Sequence, residues 1–317
     1  MSKFILITAL ALSWSVVFSQ GCSDAGFCTM GAMKPDQPYN KKIAIKLRSM
    51  DISFYRGTTT LTPIIYVATA DLSFSIGQKA SLQVKLPYQV VHGALAKTSG
   101  VGDISLCVTR NIYTSDQFEI NLSVGGKIPT NNSDKQDEEG NYLPMYYQTS
   151  LGSYDLITGI SLKSRKWLIA TGIQHPFNKN NNQFLWSRWK GGDPEELVYM
   201  QRYPQANQLR RGTDIMLRIE RNFRFSQFNY SIGVLPILRI NNDEIENEAG
   251  ATVKPQGAKG LAMSGIATVG YNFNTRSGVK LLLGHVVKFG DFVIQRDRNP
   301  DGLTREFVSS LTYTYRF

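Results

Sequence analysis

Along most of the chain, large apolar residues recur at every second position with polar ones between them. In EINLSVGGK, Ile120, Leu122 and Val124 fall on one side; Glu119, Asn121, Ser123, Gly125 and Lys127 fall on the other. In SLQVKLPYQV, Leu82, Val84, Leu86, Tyr88 and Val90 oppose Ser81, Gln83, Lys85 and Gln89. In DIMLRIERN, Ile215, Leu217 and Ile219 oppose Asp214, Arg218 and Glu220. A period of two is a β-strand with one apolar and one polar face. About twelve such runs follow one another with almost no helical periodicity: roughly 43–56, 62–76, 79–91, 101–113, 117–129, 151–163, 166–176, 213–225, 227–240, 260–274, 277–290 and 305–317. Most exceed the roughly five or six residues common in soluble sheets. That length suits tilted strands crossing a bilayer.

The connections alternate in length. IGQKAS, YTSDQ, KSRK, RFSQ and NTRSG are short. HGALAKTSG, TNNSDKQDEEGNYLP, the stretch 178–212, NNDEIENEAGATVKPQGAKG and QRDRNPDGLT are long, and only the first of this second set, around GTTT, is short. Segregated loop lengths predict an all-β fold, an antiparallel transmembrane β-barrel of about 12 strands with short periplasmic turns and long extracellular loops. Alternation alone does not say which face is inside: a soluble barrel fills its interior with apolar side chains, a membrane barrel does the reverse. The last run, SSLTYTYRF, places Tyr313, Tyr315 and Phe317 on one face. It reads as a closing strand carrying the signal for the barrel-assembly machinery, or as the edge strand of a soluble sandwich.

The opening stretch MSKFILITALALSWSVVFSQ has one lysine and then an apolar run too short to span a bilayer, broken by Ser13 and Ser15. Residues 1–19 are expected to be a secretory signal peptide cut before Gln20. A lipoprotein reading at Cys22 is weakened by Ser19, where leucine is wanted. Residues 20–42 then form a periplasmic or plug segment, and 43–317 the barrel. Cys22 and Cys28 are candidates for a small disulfide loop in an oxidising compartment, and Cys107 for a lone thiol packed like a small apolar residue. Zinc at Cys22 and Cys28 is disfavoured by spacing and the lack of a nearby histidine.

The 317 residues carry a formal net charge of +10 and are 42% hydrophobic, with 15 Tyr and 16 Phe. A cationic exported chain without a basic run points to outer-membrane lipid, lipopolysaccharide or an anionic small-molecule permeant, not to nucleic acid. Only three histidines occur, His92, His175 and His285, and none has a recognisable Ser or Asp partner in sequence. No GxSxG, HExxH or phosphate loop is present, so no enzyme, cofactor or metal site is expected. The acidic stretch Asp137–Glu139 reads as a solvated loop before a weak Ca²⁺ site. LWSRWKGG sets Trp186 and Trp189 beside Arg188 and Lys190, which suits sugar or anionic-lipid contact, or a loop folding over the barrel mouth.

Candidate lumen groups are Lys46, Arg48, Lys85, Glu119, Lys127, Arg218 and Glu220. Asp103, Asp155 and Asp214 recur in GVGDISLCV, GSYDLITGI and RGTDIMLRI, at matching heights near the outer mouth. They form either an acidic collar or caps that hold backbone amides where loops enter strands.

GVGDISLCVTRNI, FEINLSVGGKIPT and LPMYYQTSLGSYDLITGISLKSRKWLIATGIQHPF resemble the outer-membrane barrel family named for meta-pathway phenol degradation. The resemblance rests on Gly100-Val101-Gly102-Asp103, on Lys127-Ile128-Pro129-Thr130, on Gly152-Ser153-Tyr154-Asp155 with Trp167, and on the KLPYQV run. Asn131 departs from the glycine of that pattern, and the Cys22–Cys28 segment and the 178–212 stretch lie outside it. The resemblance implies a barrel related to hydrophobic-solute transporters; no residue encodes phenol binding. The resulting expectation is a passive channel or transporter for small or hydrophobic solutes in a Gram-negative outer membrane. The alternative is a closed structural or adhesive barrel whose outer loops bind a surface partner.

Overall fold

The computed structural model describes residues 30, 33–34, 46–58, 63–255, 259–286 and 307–317. Its strands are β1 (Lys46–Thr58), β2 (Ile64–Ile76), β3 (Ala80–His92), β4 (Lys97–Val101), β5 (Ile104–Thr114), β6 (Phe118–Ile128), β7 (Asp155–Ser164), β8 (Trp167–Pro176), β9 (Asp214–Phe225), β10 (Phe228–Arg239), β11 (Ile245–Glu246), β12 (Thr252–Val253), β13 (Gly260–Asn272), β14 (Ser277–Val286) and β15 (Phe307–Arg316). All but β11 and β12, a two-residue hairpin within a loop, belong to one sheet of 13 segments. Neighbours pair antiparallel, and β1 pairs with β15 from Ser49 opposite Arg316 to Thr58 opposite Phe307. This seam closes the sheet. Because β4 and β5 are one broken strand, the result is a twelve-stranded barrel.

The break has a local cause. β4 pairs with β3 up to Val101 opposite Tyr88, and β5 resumes at Ser105 opposite Lys85. Between them Pro87 offers no N–H to the ladder. Gly102 N donates instead to the Pro87 carbonyl at 2.8 Å. A Cβ on Gly102 would lie 2.5 Å from Gln89 Nε2, 3.1 Å from Pro87 Cγ and 3.2 Å from the Thr149 carbonyl oxygen, so a larger residue there would make its neighbours shift.

Side-chain orientation settles what alternation left open. On β6, Leu122 and Val124 are exposed while Asn121, Ser123 and Lys127 are buried. On β9, Leu217 points out while Asp214, Arg218 and Glu220 are buried. Phe54, Leu86, Val108, Ile160, Ile173, Ile232 and Leu281 continue the outer face on other strands. An exterior this apolar around a charged interior is solvated by lipid. Aromatic rings gather at the short-turn end, with Tyr113 against Phe118 at 5.5 Å, Phe228 against Tyr271 at 4.9 Å and Tyr315 against Phe317 at 5.0 Å between ring centroids. Arg221 lies over the Trp167 ring at 4.8 Å in the same zone. These rings form one interfacial girdle.

Val124→Arg tests the outward assignment. A cation on the lipid face near the bilayer midplane should cost about 2–4 kcal/mol. Reversible urea unfolding in lipid vesicles should show that loss, whereas Ser123→Thr, on the polar lumen face, should change stability far less.

The short turns join β2 to β3, β5 to β6, β7 to β8, β9 to β10 and β13 to β14, all at one end. The strand expected from residue 151 starts only at Asp155, because Leu151 is held in a loop by the Asp103 carboxylate. The one helix longer than a turn among the described residues, α1 (Pro194–Met200), was not anticipated. Asp193 caps it by accepting from Glu196 N at 2.8 Å, with Pro194 in the first turn.

Candidate functional site in the barrel bore

The bore has two unlike walls. On β1 and β2, Asp51 and Asp71 are direct cross-strand partners, and both are buried. Two carboxylates so placed repel each other unless a cation intervenes. Lys34 supplies it, with Nζ at 2.7 Å from Asp51 Oδ2 and 3.0 Å from Asp71 Oδ2. Gln83 Nε2 also donates to Asp71 Oδ2 at 2.7 Å. The other wall is apolar. Cys107, Ile157, Ala170, Met216, Leu235, Ile237 and Ile266, contributed by β5, β7, β8, β9, β10 and β13, form one cluster with Met30 and Met33.

Both methionines are fully buried. Met33 rests on Gly159 and Gly172, which are cross-strand partners. A Cβ on Gly172 would lie 2.1 Å from Met33 Sδ, and one on Gly159 3.0 Å from it. The two glycines therefore form a socket that any larger residue would fill. Methionine, unbranched and polarisable, suits such an irregular space. Three residues of the segment expected at 20–42 thus span the bore, sulfur on one wall and ammonium on the other.

Towards the short-turn end lies a cavity of about 120 Å³ lined in part by Lys34, Arg48, Asp51, Lys280 and Arg316. Towards the long-loop end lies a belt of buried ion pairs. Lys127 Nζ is 3.6 Å from Asp103 Oδ2. Asp155 accepts from Arg211, Gln174 and Ser153. Arg239 grips Asp214 in bidentate fashion at 2.9 and 2.7 Å and reaches Asp243 at 2.8 Å. Arg218 and Glu220 pair at 2.5 Å lower on the same wall.

Above the belt the long loops fold over the mouth. Leu143, Tyr146, Tyr147, Phe184, Met200 and Tyr203 pack onto Ile65, Val67 and Val91 of β2 and β3. The Tyr203 hydroxyl is 3.1 Å from that of Tyr147 and 3.0 Å from that of Tyr199. Burial pushes its pKa up, and these two hydroxyls push it further. The Tyr203 hydroxyl therefore stays uncharged across the ordinary pH range.

The three aspartates that recur in sequence are all buried at the long-loop end of the bore. They do not make an acidic collar, because each is matched by a cation. Asp103 also accepts from a backbone amide, that of Leu151 at 3.0 Å. Lys85 and Lys127 are buried in the lumen wall, while Arg48 and Glu119 are half-buried near the short-turn end. Lys46 begins β1, and its side chain lies outside the described residues, as do Cys22 and Cys28. Cys107 is a buried free thiol. Tyr313 and Phe317 are exposed on the outer face, and Tyr315 is half-buried.

Sequence reasoning missed Lys34, Asp51, Asp71, Arg211, Arg239 and Asp243. Asp51 and Asp71 were legible as charges on the polar face of a strand. Lys34 and Arg211 sit in irregular segments that carry no periodic signal.

Nothing in the geometry assembles a catalytic group from the histidines. His175 Nδ1 is 2.8 Å from Thr213 Oγ1, with Phe177 against its ring. His92 packs edge-on to Tyr66, and His285 is exposed on the barrel wall. Among the described residues, no group of three or more His, Cys, Asp or Glu could hold a metal ion.

No protein-family model matches the chain, and no curated protein matches it. Among solved structures, it is similar to an outer-membrane channel from Pseudomonas putida F1, with a TM-score of 0.63 at 13% identity over 89% of this chain and 99% of that one. It also aligns with the KdgM porin bound to disordered oligogalacturonate, with a TM-score of 0.44 at 7% identity over 85% of this chain and 99% of that one. For the NanC porin the TM-score is 0.43 at 8% identity, over 85% of this chain and 98% of that one. The first of these likenesses is a likeness of fold: the chain is a closed twelve-stranded antiparallel barrel of the outer-membrane type.

Proposed function

We propose that the protein is a passive outer-membrane channel for small amphipathic solutes, exported by its N-terminal signal and related to the hydrophobic-solute transporter barrels. The observation that carries this reading is the two-walled bore occupied by Met30, Met33 and Lys34. A solute with one apolar and one polar side would match the aliphatic wall and the Asp51–Asp71 wall at once. Met30, Met33 and Lys34 act as a plug, held by contacts with both walls. A fold shared with an outer-membrane channel supports the reading.

The dome over the mouth favours a second reading, a closed barrel whose loops bind a surface partner. Conductance separates the two. The full chain in a planar bilayer should show small, steady steps, and a variant lacking residues 21–40 should show enlarged ones. Silence from both proteins, with insertion proven by heat-modifiable mobility, would overturn the channel reading and leave the closed barrel.

A further inference from the structure

The loops joining β6 to β7 and β8 to β9 enclose a second cavity, of about 410 Å³, lined wholly by loop residues. This volume lies in the range of small-ligand sites, roughly 300–1,000 Å³. Phe184 and Leu185 line it as buried residues, Tyr142 and Trp189 as half-buried ones, and Arg188 and Lys190 as exposed ones. Trp189 stands edge-on to Phe184, with ring centroids 6.1 Å apart and ring planes at 85°.

 

The cavity is held in shape before any ligand arrives. Asn141 Nδ2 donates to the Lys190 carbonyl at 3.0 Å, and Lys190 N donates back to Asn141 Oδ1 at 2.7 Å. Asn141 Nδ2 also donates to Asp137 Oδ2 at 2.9 Å. Gln183 Nε2 donates to the Tyr142 hydroxyl at 3.1 Å. Two features of this built site are left unsatisfied. The Trp189 indole N–H is buried and has no acceptor. The Arg188 and Lys190 side chains form no ion pair among the described residues. Glu139, the carboxylate beside this loop, stands against Gly191, where an added Cβ would lie 2.7 Å from its Oε2.

We infer that this loop cavity binds an acidic saccharide. Aromatic faces take the flat C–H faces of a sugar ring, and side-chain amides and an indole N–H suit its hydroxyl oxygens. Cations at the edge take a carboxylate or phosphate through charge-assisted bonds. A preformed site loses little entropy when it is filled. The same chemistry is offered by a free acidic oligosaccharide and by the phosphorylated sugars of lipopolysaccharide. The inference does not depend on whether the bore conducts.

The test titrates the full-length protein in detergent micelles with a glucuronate-containing tetrasaccharide and with maltotetraose, read by tryptophan fluorescence and calorimetry. The acidic sugar should bind about tenfold more tightly than the neutral one, and less tightly as salt rises. The double variant Arg188→Gln/Lys190→Gln changes only exposed side chains, so it keeps the fold and should lose about tenfold in affinity. Trp189→Phe keeps the ring packing, removes the N–H and should weaken binding without changing heat-modifiable mobility. Equal binding of the two sugars, binding of neither, or an unchanged double variant would overturn the inference. Competition by purified lipopolysaccharide, lost on dephosphorylation, would support it with the cell surface as the source. Acidic-sugar binding without such competition would support it with a free saccharide as the source.

Discussion

Lys34→Ala should turn a narrow bore into a wider, cation-preferring one. Lys34 is the only described residue that bridges Asp51 and Asp71 as an ion pair, and it ties the segment carrying Met30 and Met33 to the polar wall. A hydrogen bond to a charged partner contributes about 1.5–3 kcal/mol, and each 1.4 kcal/mol is about tenfold in an equilibrium. Losing this clamp should lower the ratio of seated to unseated plug by about ten- to a hundredfold. The two carboxylates would then face the open bore and draw cations. Single-channel recording in a KCl gradient should show larger steps and a reversal potential shifted towards cation selectivity. The double variant Asp51→Asn/Asp71→Asn releases the same clamp without leaving negative charge, so it should open the bore without that shift. Unchanged conductance in both variants would refute the plug.

Arg239→Ala should be the most destabilising single change in the barrel. Arg239 is 1% exposed and holds Asp214 and Asp243, which are 2% and 1% exposed. Removing one partner from a buried ion pair costs about 3–5 kcal/mol, because the remaining charge is stranded. Asp243 also accepts from Gly212 N at 2.6 Å, so the loops that follow β8 and β10 both lean on this arginine. The temperature at which the protein loses its folded electrophoretic mobility should fall sharply. Arg239→Lys, which keeps the charge but not the bidentate grip, should fall between wild type and alanine. A wild-type midpoint in Arg239→Ala would mean that the belt carries no stability.

The barrel was legible because its physics is local. Ile120, Leu122 and Val124 alternate with Glu119, Asn121 and Ser123 whatever surrounds them, and turn residues mark where each strand stops. The direction of that alternation was not local: only closure of β1 onto β15 tells which face is the lumen. The break between β4 and β5 was half-visible, since Pro87 and Gly102 stand in the sequence but their meeting depends on register. Helix α1 had a readable signal in Asp193-Pro194-Glu195-Glu196, a cap followed by a first-turn proline and acids. Asp103, Asp155 and Asp214 were recognised as a set, but their partners Lys127, Arg211 and Arg239 lie 24, 56 and 25 positions away and come from different elements. Pairing at that range is a property of the fold, and no spacing rule finds it. Lys34 shows the limit: one lysine in an irregular segment becomes central only because two strands hold their carboxylates opposite each other.

The dome also sets an order of events during biogenesis. Its aromatic core joins loops that follow β6 and β8 to the inner faces of β2 and β3. Tyr147 and Phe184 cannot bury themselves until those strands share one wall, and contacts between such distant stretches form late. Loop residues 129–154 and 177–213 should therefore stay open to an added protease through early insertion and become resistant only as the wall assembles. The dome is a built-in clock, and its protection from cleavage would time the completion of the barrel.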